Sequence, residues 1–301
     1  MKRLLIAAAL ALAACDTPVN GTSGGEATRA STLAPADLPA FFDCLREHNA
    51  TVVSAHRGGP ASGFAENDTA TFAHTLTQAP AFMETDIART RDGALVLMHD
   101  DTVDRTANGS GDVSALTLAQ FQALRLRDDD GNVLESAPPT LRQALDWADG
   151  QTVLELDVKR GVSYEDVAAE VREAGAMNRV VFITYSVDGA SRLARVAPEA
   201  MIYTTITSVR DLDTLERRGV DLSHIVAWLG DDELDEGLLH ALNERGVEGR
   251  WGLFRRDADF AAAVEAGAEG VSVNDPAAAY RAIDAADGAE GYAAEQCLAA
   301  R

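Results

Sequence analysis

Short apolar, β-branched runs recur along the chain at 51–55 (TVVSA), 82–88 (FMETDIA), 153–158 (VLELDV) and 180–185 (VVFITY). Four more follow at 201–206 (MIYTTI), 224–229 (HIVAWL), 247–252 (VEGRWG) and 270–274 (GVSVN). Each has strand length, and most are separated by segments of helical period with readable ends. Ser163 with Asp166 three residues on forms a capping signal before VAAEVREAG, and Gly175 stops that helix. Ser208 opens a helix that Gly219 closes, and Asp231 or Asp232 opens one that Gly246 ends. Strand and helix alternating at this spacing predict a parallel sheet, and eight units predict closure into a (β/α)8 barrel of the TIM type. An open, doubly wound sheet is the alternative, but the chain has no glycine-rich phosphate loop of the nucleotide-binding kind.

One segment breaks the alternation. Residues 95–99 (LVLMH) form a second strand only a few residues after the 82–90 run, across Thr90-Arg91-Asp92-Gly93. So short a connection requires antiparallel pairing, which adds a hairpin strand after strand 2. A turn symmetric about residues 91 and 92 sets Glu84 opposite His99.

The first 15 residues, MKRLLIAAALALAAC, do not belong to that pattern. A charged start, an apolar run from Leu4 to Leu12 and a small-residue exit are those of a secretory signal, too short to span a membrane. Leu12-Ala13-Ala14-Cys15 resembles the bacterial lipoprotein box, which implies that Cys15 is lipidated and becomes residue one. The protein is then exported and lipid-anchored facing the periplasm. Asp16 after the cysteine points to the inner membrane. Residues 16–36, rich in Thr, Ser, Gly, Ala and Pro, read as a flexible tether, and 37–301 as the barrel domain. With Cys15 lipidated, Cys44 and Cys297 remain. An oxidising compartment and the adjacency of the two ends of a closed barrel favour a disulfide between them over two free thiols.

The formal charge of −22 excludes nucleic-acid binding through a basic face. Lysine usage adds more: of 26 basic residues only Lys2 and Lys159 are lysines. Lys159 stands beside the densest acidic pattern in the strands. Glu84 and Asp86 share one strand face, as do Glu155, Asp157 and Lys159. Several carboxylates on one inward face repel one another unless a cation joins them, and oxygen ligands suit one calcium or magnesium ion. No Cys/His spacing suggests zinc.

The residues at the strand ends are His56-Arg57-Gly58, Glu66-Asn67, Glu84-Thr85-Asp86, His99-Asp100, Asp101-Thr102-Val103-Asp104-Arg105-Thr106 and Asn274-Asp275-Pro276. Together they resemble the glycerophosphodiester phosphodiesterase family over about residues 50–285. The resemblance implies metal-dependent hydrolysis of a small phosphodiester to glycerol 3-phosphate and an alcohol. His56 and His99 are then the acid–base pair, Arg57 holds a phosphate oxygen, and Glu84 and Asp86 bind the metal. Imidazoles suit the proton transfers on independent grounds, since they titrate near neutrality.

Ala65 and Asp68 depart from the family's proline and threonine, which alters the turn into the first barrel helix. Asp157 fills a position the family gives to glutamate, which leaves the third ligand open between Asp157 and Glu155. Lys159 reaches between a carboxylate and a phosphate oxygen. Arg250-Trp251-Gly252 replaces a Trp-Thr, with Trp251 expected to stack on substrate. His48, His74, His224 and His240 read as structural, Trp147 and Trp228 as core, and Asp128-Asp129-Asp130 as a solvated turn. Arg105 either contacts the site loop or pairs with Asp104. A phospholipase-type enzyme acting on intact lipid headgroups is one alternative function, and a non-catalytic barrel lipoprotein another. No protein partner is implied.

Overall fold

The computed structural model describes residues 31–255 and 257–300, so the leader, Cys15 and residues 16–30 of the tether lie outside the described residues. Nine strands form one sheet: β1 (Val52–Ala55), β2 (Phe82–Arg89), β3 (Leu95–Leu97), β4 (Leu154–Val158), β5 (Val180–Thr184), β6 (Met201–Thr205), β7 (Ile225–Trp228), β8 (Glu248–Leu253) and β9 (Gly270–Val273). All but β3 are parallel, and β1 pairs with both β9 and β2, which closes an eight-stranded barrel. The eight predicted strands and the barrel are therefore present. Helices cover the outside, among them Thr69–Leu76, Tyr164–Glu173 and Val209–Arg217. Ser163 accepts from the Asp166 amide at the start of the second of these. The helix placed after Asp231 starts later, at Glu236, because Asp235 and not Asp231 caps it.

β2 is longer than β1, and β3 pairs with the part of β2 that rises beyond the barrel rim. The hairpin register differs by one from the sequence reading: Ile87 faces Leu97 and Arg89 faces Leu95. The reason lies in the turn. Thr90 N donates to Ala94 O at 3.0 Å, which centres the turn on Asp92 rather than between 91 and 92. Asp86 O, not Glu84, therefore lies across from this strand's continuation, accepting from Met98 N at 2.9 Å.

The opposite end of the barrel is plugged by the helix Leu38–His48. Phe41 and Phe42 pack on Phe82 at ring separations of 5.6 and 6.3 Å, and Arg46 pairs with Glu248. Residues 31–36, assigned to the tether in the sequence reading, lie against this end. Leu33 is fully buried and its N donates to Gln151 O at 2.9 Å, because an apolar leucine here finds the gap beside Thr152. Cys44 of the plug helix is bonded to Cys297, with Cα atoms 5.6 Å apart. Glu248 and Glu269, both buried at this end, are pushed up to about 8 and about 7, in each case first by burial.

Two outcomes follow from this end of the barrel. Replacing Cys44 and Cys297 by serine releases a crosslink spanning 253 residues and is expected to lower unfolding free energy by about 2–5 kcal/mol in denaturant melts. For Glu269 the folded pKa lies above the unfolded one, so its protonated form stabilises the fold at low pH and that contribution is lost as pH rises through about 7. Wild type should lose more stability between pH 5 and 8.5 than Glu269→Gln, and equal slopes would disprove this linkage.

Candidate active site

The chain leaves β1 through His56-Arg57-Gly58 in a left-handed turn. Arg57 has φ 52° and Gly58 φ 82°. A Cβ on Gly58 would meet the Phe72 ring at 2.1 Å, so only glycine lets this turn sit on the helix below. The turn aims the Arg57 amide at Glu84 Oε2, 2.7 Å away. Asn67, also left-handed at φ 58°, donates its amide to Arg57 O at 3.0 Å. Its side chain donates to Asp86 Oδ2 at 2.8 Å and accepts from Thr85 Oγ1 and Asp86 N. The departures at Ala65 and Asp68 leave this turn intact: Ala65 O accepts from Thr71, and Asp68 caps the helix through the Ala70 amide.

Glu84, Asp86 and Asp157 converge just inside the rim, each at most 6% exposed, with one oxygen from each within 4.8 Å of the others. Burial and the neighbouring Asp86 charge push Glu84 well up. Burial would also raise Asp86, but Lys159 outweighs it and holds that carboxyl below its usual range. Lys159 Nζ lies 2.7 Å from Asp86 Oδ1 and 2.6 Å from Asp157 Oδ2. The lysine thus bridges two carboxylates. Asp157 Oδ1 is buried without a hydrogen-bond partner. Three hard oxygen donors, one of them orphaned, fit a divalent cation.

Glu155 is not with them. It faces inward on β4 like Asp157 but two residues, about 6.6 Å, deeper. There Arg250 Nη1 lies 2.6 Å from its Oε2, Ser54 Oγ donates to the same oxygen at 2.5 Å, and the Tyr203 hydroxyl donates to Oε1 at 3.1 Å. With both oxygens so engaged, Glu155 is a structural counter-ion, and Asp157 completes the triad. Trp251 is also displaced from its expected role. Strand alternation turns Arg250 into the barrel and Trp251 outward, where its Nε1 donates to Asp232 O at 2.8 Å. Trp228, read as core, instead lines the mouth.

His56 Nδ1 lies 2.8 Å from Asn274 Oδ1. Asn274 Nδ2 donates to Phe254 O at 2.9 Å, so Oδ1 is the acceptor and the His56 proton sits on Nδ1. Burial lowers the His56 pKa, which keeps a lone pair on Nε2. His99 Nδ1 lies 2.7 Å from Asp100 Oδ1, which leaves its Nε2 free as well. Hydrogen bonds from Arg105 hold Asp100 far down in the anionic range. Arg105 also grips Glu66 at 2.7 and 2.9 Å, and Glu66 accepts in turn from Arg57 at 3.1 Å. Arg105 is therefore part of the site and not a partner of Asp104. Arg57 Nε is buried and unbonded, 3.7 Å from Asp86 Oδ2.

Two cavities meet at His56. One, about 190 Å³, has Glu84 and Asp157 at its floor and Tyr185, Trp228 and Phe254 in its walls. The other, about 700 Å³, is polar and runs outward past Arg57, Arg105 and Asn274. Asp129 lines the latter, and Asp128 is buried, accepting from the Gly63 and Asn132 amides, so the acidic run is more than a solvated turn. Sequence reasoning missed Arg250, Tyr185 and Trp228. Strand period was the available signal for Tyr185, two residues beyond the inward Ile183. Nothing local marked Trp228, whose exposure depends on how the barrel mouth opens.

Similarity to known proteins agrees with this geometry. The model of the glycerophosphoryl diester phosphodiesterase family matches residues 56–278. A glycerophosphodiester phosphodiesterase of Caldanaerobacter subterraneus is 28% identical over 159 residues, covering 50% of this chain and 65% of that protein. Glycerophosphodiester phosphodiesterase 1 of Bos taurus is 38% identical over 123 residues, covering 39% and 36%. The chain thus matches less than two thirds of the length of either relative. A crystal structure of a glycerophosphoryl diester phosphodiesterase from Parabacteroides distasonis superposes with a TM-score of 0.81 at 28% identity, covering 89% of this chain and 98% of that one. With its His56-to-Asn274 site lying inside the matched span, the chain belongs to the glycerophosphoryl diester phosphodiesterase family.

Proposed function

We propose that this protein hydrolyses glycerophosphodiesters to glycerol 3-phosphate and an alcohol, with His56 as general base and His99 as general acid. The observation that carries the reading is that two imidazoles, each with Nδ1 committed and Nε2 free, adjoin one carboxylate triad: His56 lines the cavity that Glu84 and Asp157 floor, and His99 is close enough for its charge to act on Asp86. A divalent cation on Glu84, Asp86 and Asp157, calcium or magnesium by the hardness of the donors, would supply charge stabilisation to the phosphate oxygens. Arg57 binds a further phosphate oxygen through a guanidinium that Glu66 holds in place. His56 takes the proton from the attacking hydroxyl on its free Nε2; attack by water gives glycerol 3-phosphate directly, whereas attack by the substrate's own glycerol hydroxyl gives a cyclic phosphate that a second addition of water opens. His99 acts as the imidazolium paired with Asp100: it gives its Nε2 proton to the departing alkoxide and keeps Nδ1–H on the carboxylate. Asp100 keeps that ring oriented throughout.

The direct test is release of glycerol 3-phosphate from glycerophosphocholine, with and without chelator. Release is expected, should vanish on chelation, and should return with calcium or magnesium. Chelator-resistant turnover would remove the cation from the scheme, and turnover confined to intact lipid would reassign the substrate. His56→Ala and His99→Ala should each lower kcat by about 10²–10⁴-fold, the usual contribution of acid–base catalysis.

The pH profile tests the base separately. His56 acts neutral, so kcat/KM should fall on the acid side through its depressed pKa, below 6.5. Its bond to Asn274 favours the charged ring. Asn274→Ala should therefore move the acid limb to lower pH while lowering kcat. An acid limb that stays in place would assign it to another group.

A further inference from the structure

The two oxygens of Asp157 are used unequally. Oδ2 accepts from Lys159 Nζ at 2.6 Å and from the Tyr185 hydroxyl at 2.6 Å, whereas Oδ1 is buried with no partner. Tyr185 is placed oddly for such a bond. It is 65% exposed, one of two large apolar side chains left in solvent among the described residues. An exposed phenol ordinarily hydrogen-bonds water. This one turns inward to a buried carboxylate.

Its position follows from strand register. Asp157 of β4 lies beside Ile183 of β5, so Tyr185 is the next residue on that strand's inward face. The backbone there has little freedom. Thr184 ends β5 and its hydroxyl donates to Tyr203 O at 3.2 Å, while Ser186 already caps the helix Val187–Val196 by accepting from the Gly189 amide at 3.1 Å. Tyr185 is the single residue between strand and cap. The layer below repeats the arrangement: Tyr203, on β6, donates to Glu155, also on β4.

Resting on the cation site proposed above, we infer that Tyr185 is a positioning residue for that site: its hydroxyl holds Asp157 Oδ2 so that Oδ1 is presented to the ion. A carboxylate has one free rotation about its last bond, and a ligand oxygen must be aimed before it binds well. Lys159 alone cannot aim it, since its Nζ is shared with Asp86 at the end of a flexible four-carbon stem. The phenol, rigid and anchored between strand and cap, can. Partners that orient metal-binding groups in this way typically change affinity by about 10–100-fold when removed.

The experiment is calorimetric titration of the metal-free protein with calcium chloride, and separately with magnesium chloride, for wild type, Tyr185→Phe and Tyr185→Leu. Both variants are expected to weaken cation binding by about 10–100-fold and by similar amounts, because the hydroxyl and not the ring does the aiming. Melting temperatures in chelator should match wild type, since so exposed a side chain adds little to folding. An unchanged Kd in Tyr185→Phe, a loss seen only with leucine, or a lowered melting temperature of Tyr185→Phe in chelator would each overturn the inference while leaving the cation site standing. Absence of binding by wild type itself would overturn the cation site and this inference together.

Discussion

Glu84 and Asp86 of β2 lie side by side with Glu155 and Asp157 of β4, in parallel register, on the inside of the barrel. Like charges at about 4 Å repel by ~4 kcal/mol at an effective dielectric constant near 20, and burial adds to that. Much of the interior can be understood as the answer to this constraint. In the lower layer Arg250 compensates Glu155. Its Nε and Nη2 are then satisfied by the hydroxyls of Ser272 and Ser54, and its guanidinium lies 4.4 Å from the Tyr203 ring centroid. In the upper layer Lys159 compensates Asp86 and Asp157. Glu84 receives only the Arg57 amide and stays well above its usual range. The barrel therefore sets two cationic side chains, Arg250 and Lys159, against four carboxylates, and the two negative charges left over match what one divalent cation would supply.

From that point outward the site is stiffened by a relay of ion pairs. Arg57 and Arg105 share Glu66, which is only 5% exposed, and Arg105 passes the constraint to Asp100 and so to His99. The segment that carries Arg105 leaves the barrel but does not hang free. Val96, Met98, Val103, Ala107, Val113 and Phe121 bury one another in a small core of their own. His99 is thus oriented by an excursion with its own packing, while His56 is oriented by Asn274 at the end of β9. The two imidazoles are set by independent parts of the fold, which suits the opposite proton-transfer duties proposed for them.

Much was legible in the sequence because it is written in local periodicity. The eight barrel strands follow from short β-branched runs, and closure follows from their number. The inward face of β2 and β4 follows from a period of two, and with it the cluster of carboxylates that could hold a cation. The pairing of Cys44 with Cys297 follows from closure as well, since it brings the chain ends together. The hairpin was readable, but its register slipped by one, because a single turn bond, Thr90 N to Ala94 O, moves every partner.

What only the tertiary structure decided is which inward residue meets which. Period two makes Glu155 and Asp157 equivalent, and only Arg250, arriving from 95 residues further on, makes one a counter-ion and the other a ligand candidate. The same strand pattern does not say whether Arg250 or Trp251 faces in, so the tryptophan assigned to substrate lies outside and Trp228 lines the mouth. Strand period could mark Tyr185 as inward but not what it meets there, since its partner is a carboxylate 28 residues earlier on the neighbouring strand. Periodicity is a property of neighbours along the chain and so sets faces, whereas charge compensation acts across the barrel and depends on distances that exist only once it has closed.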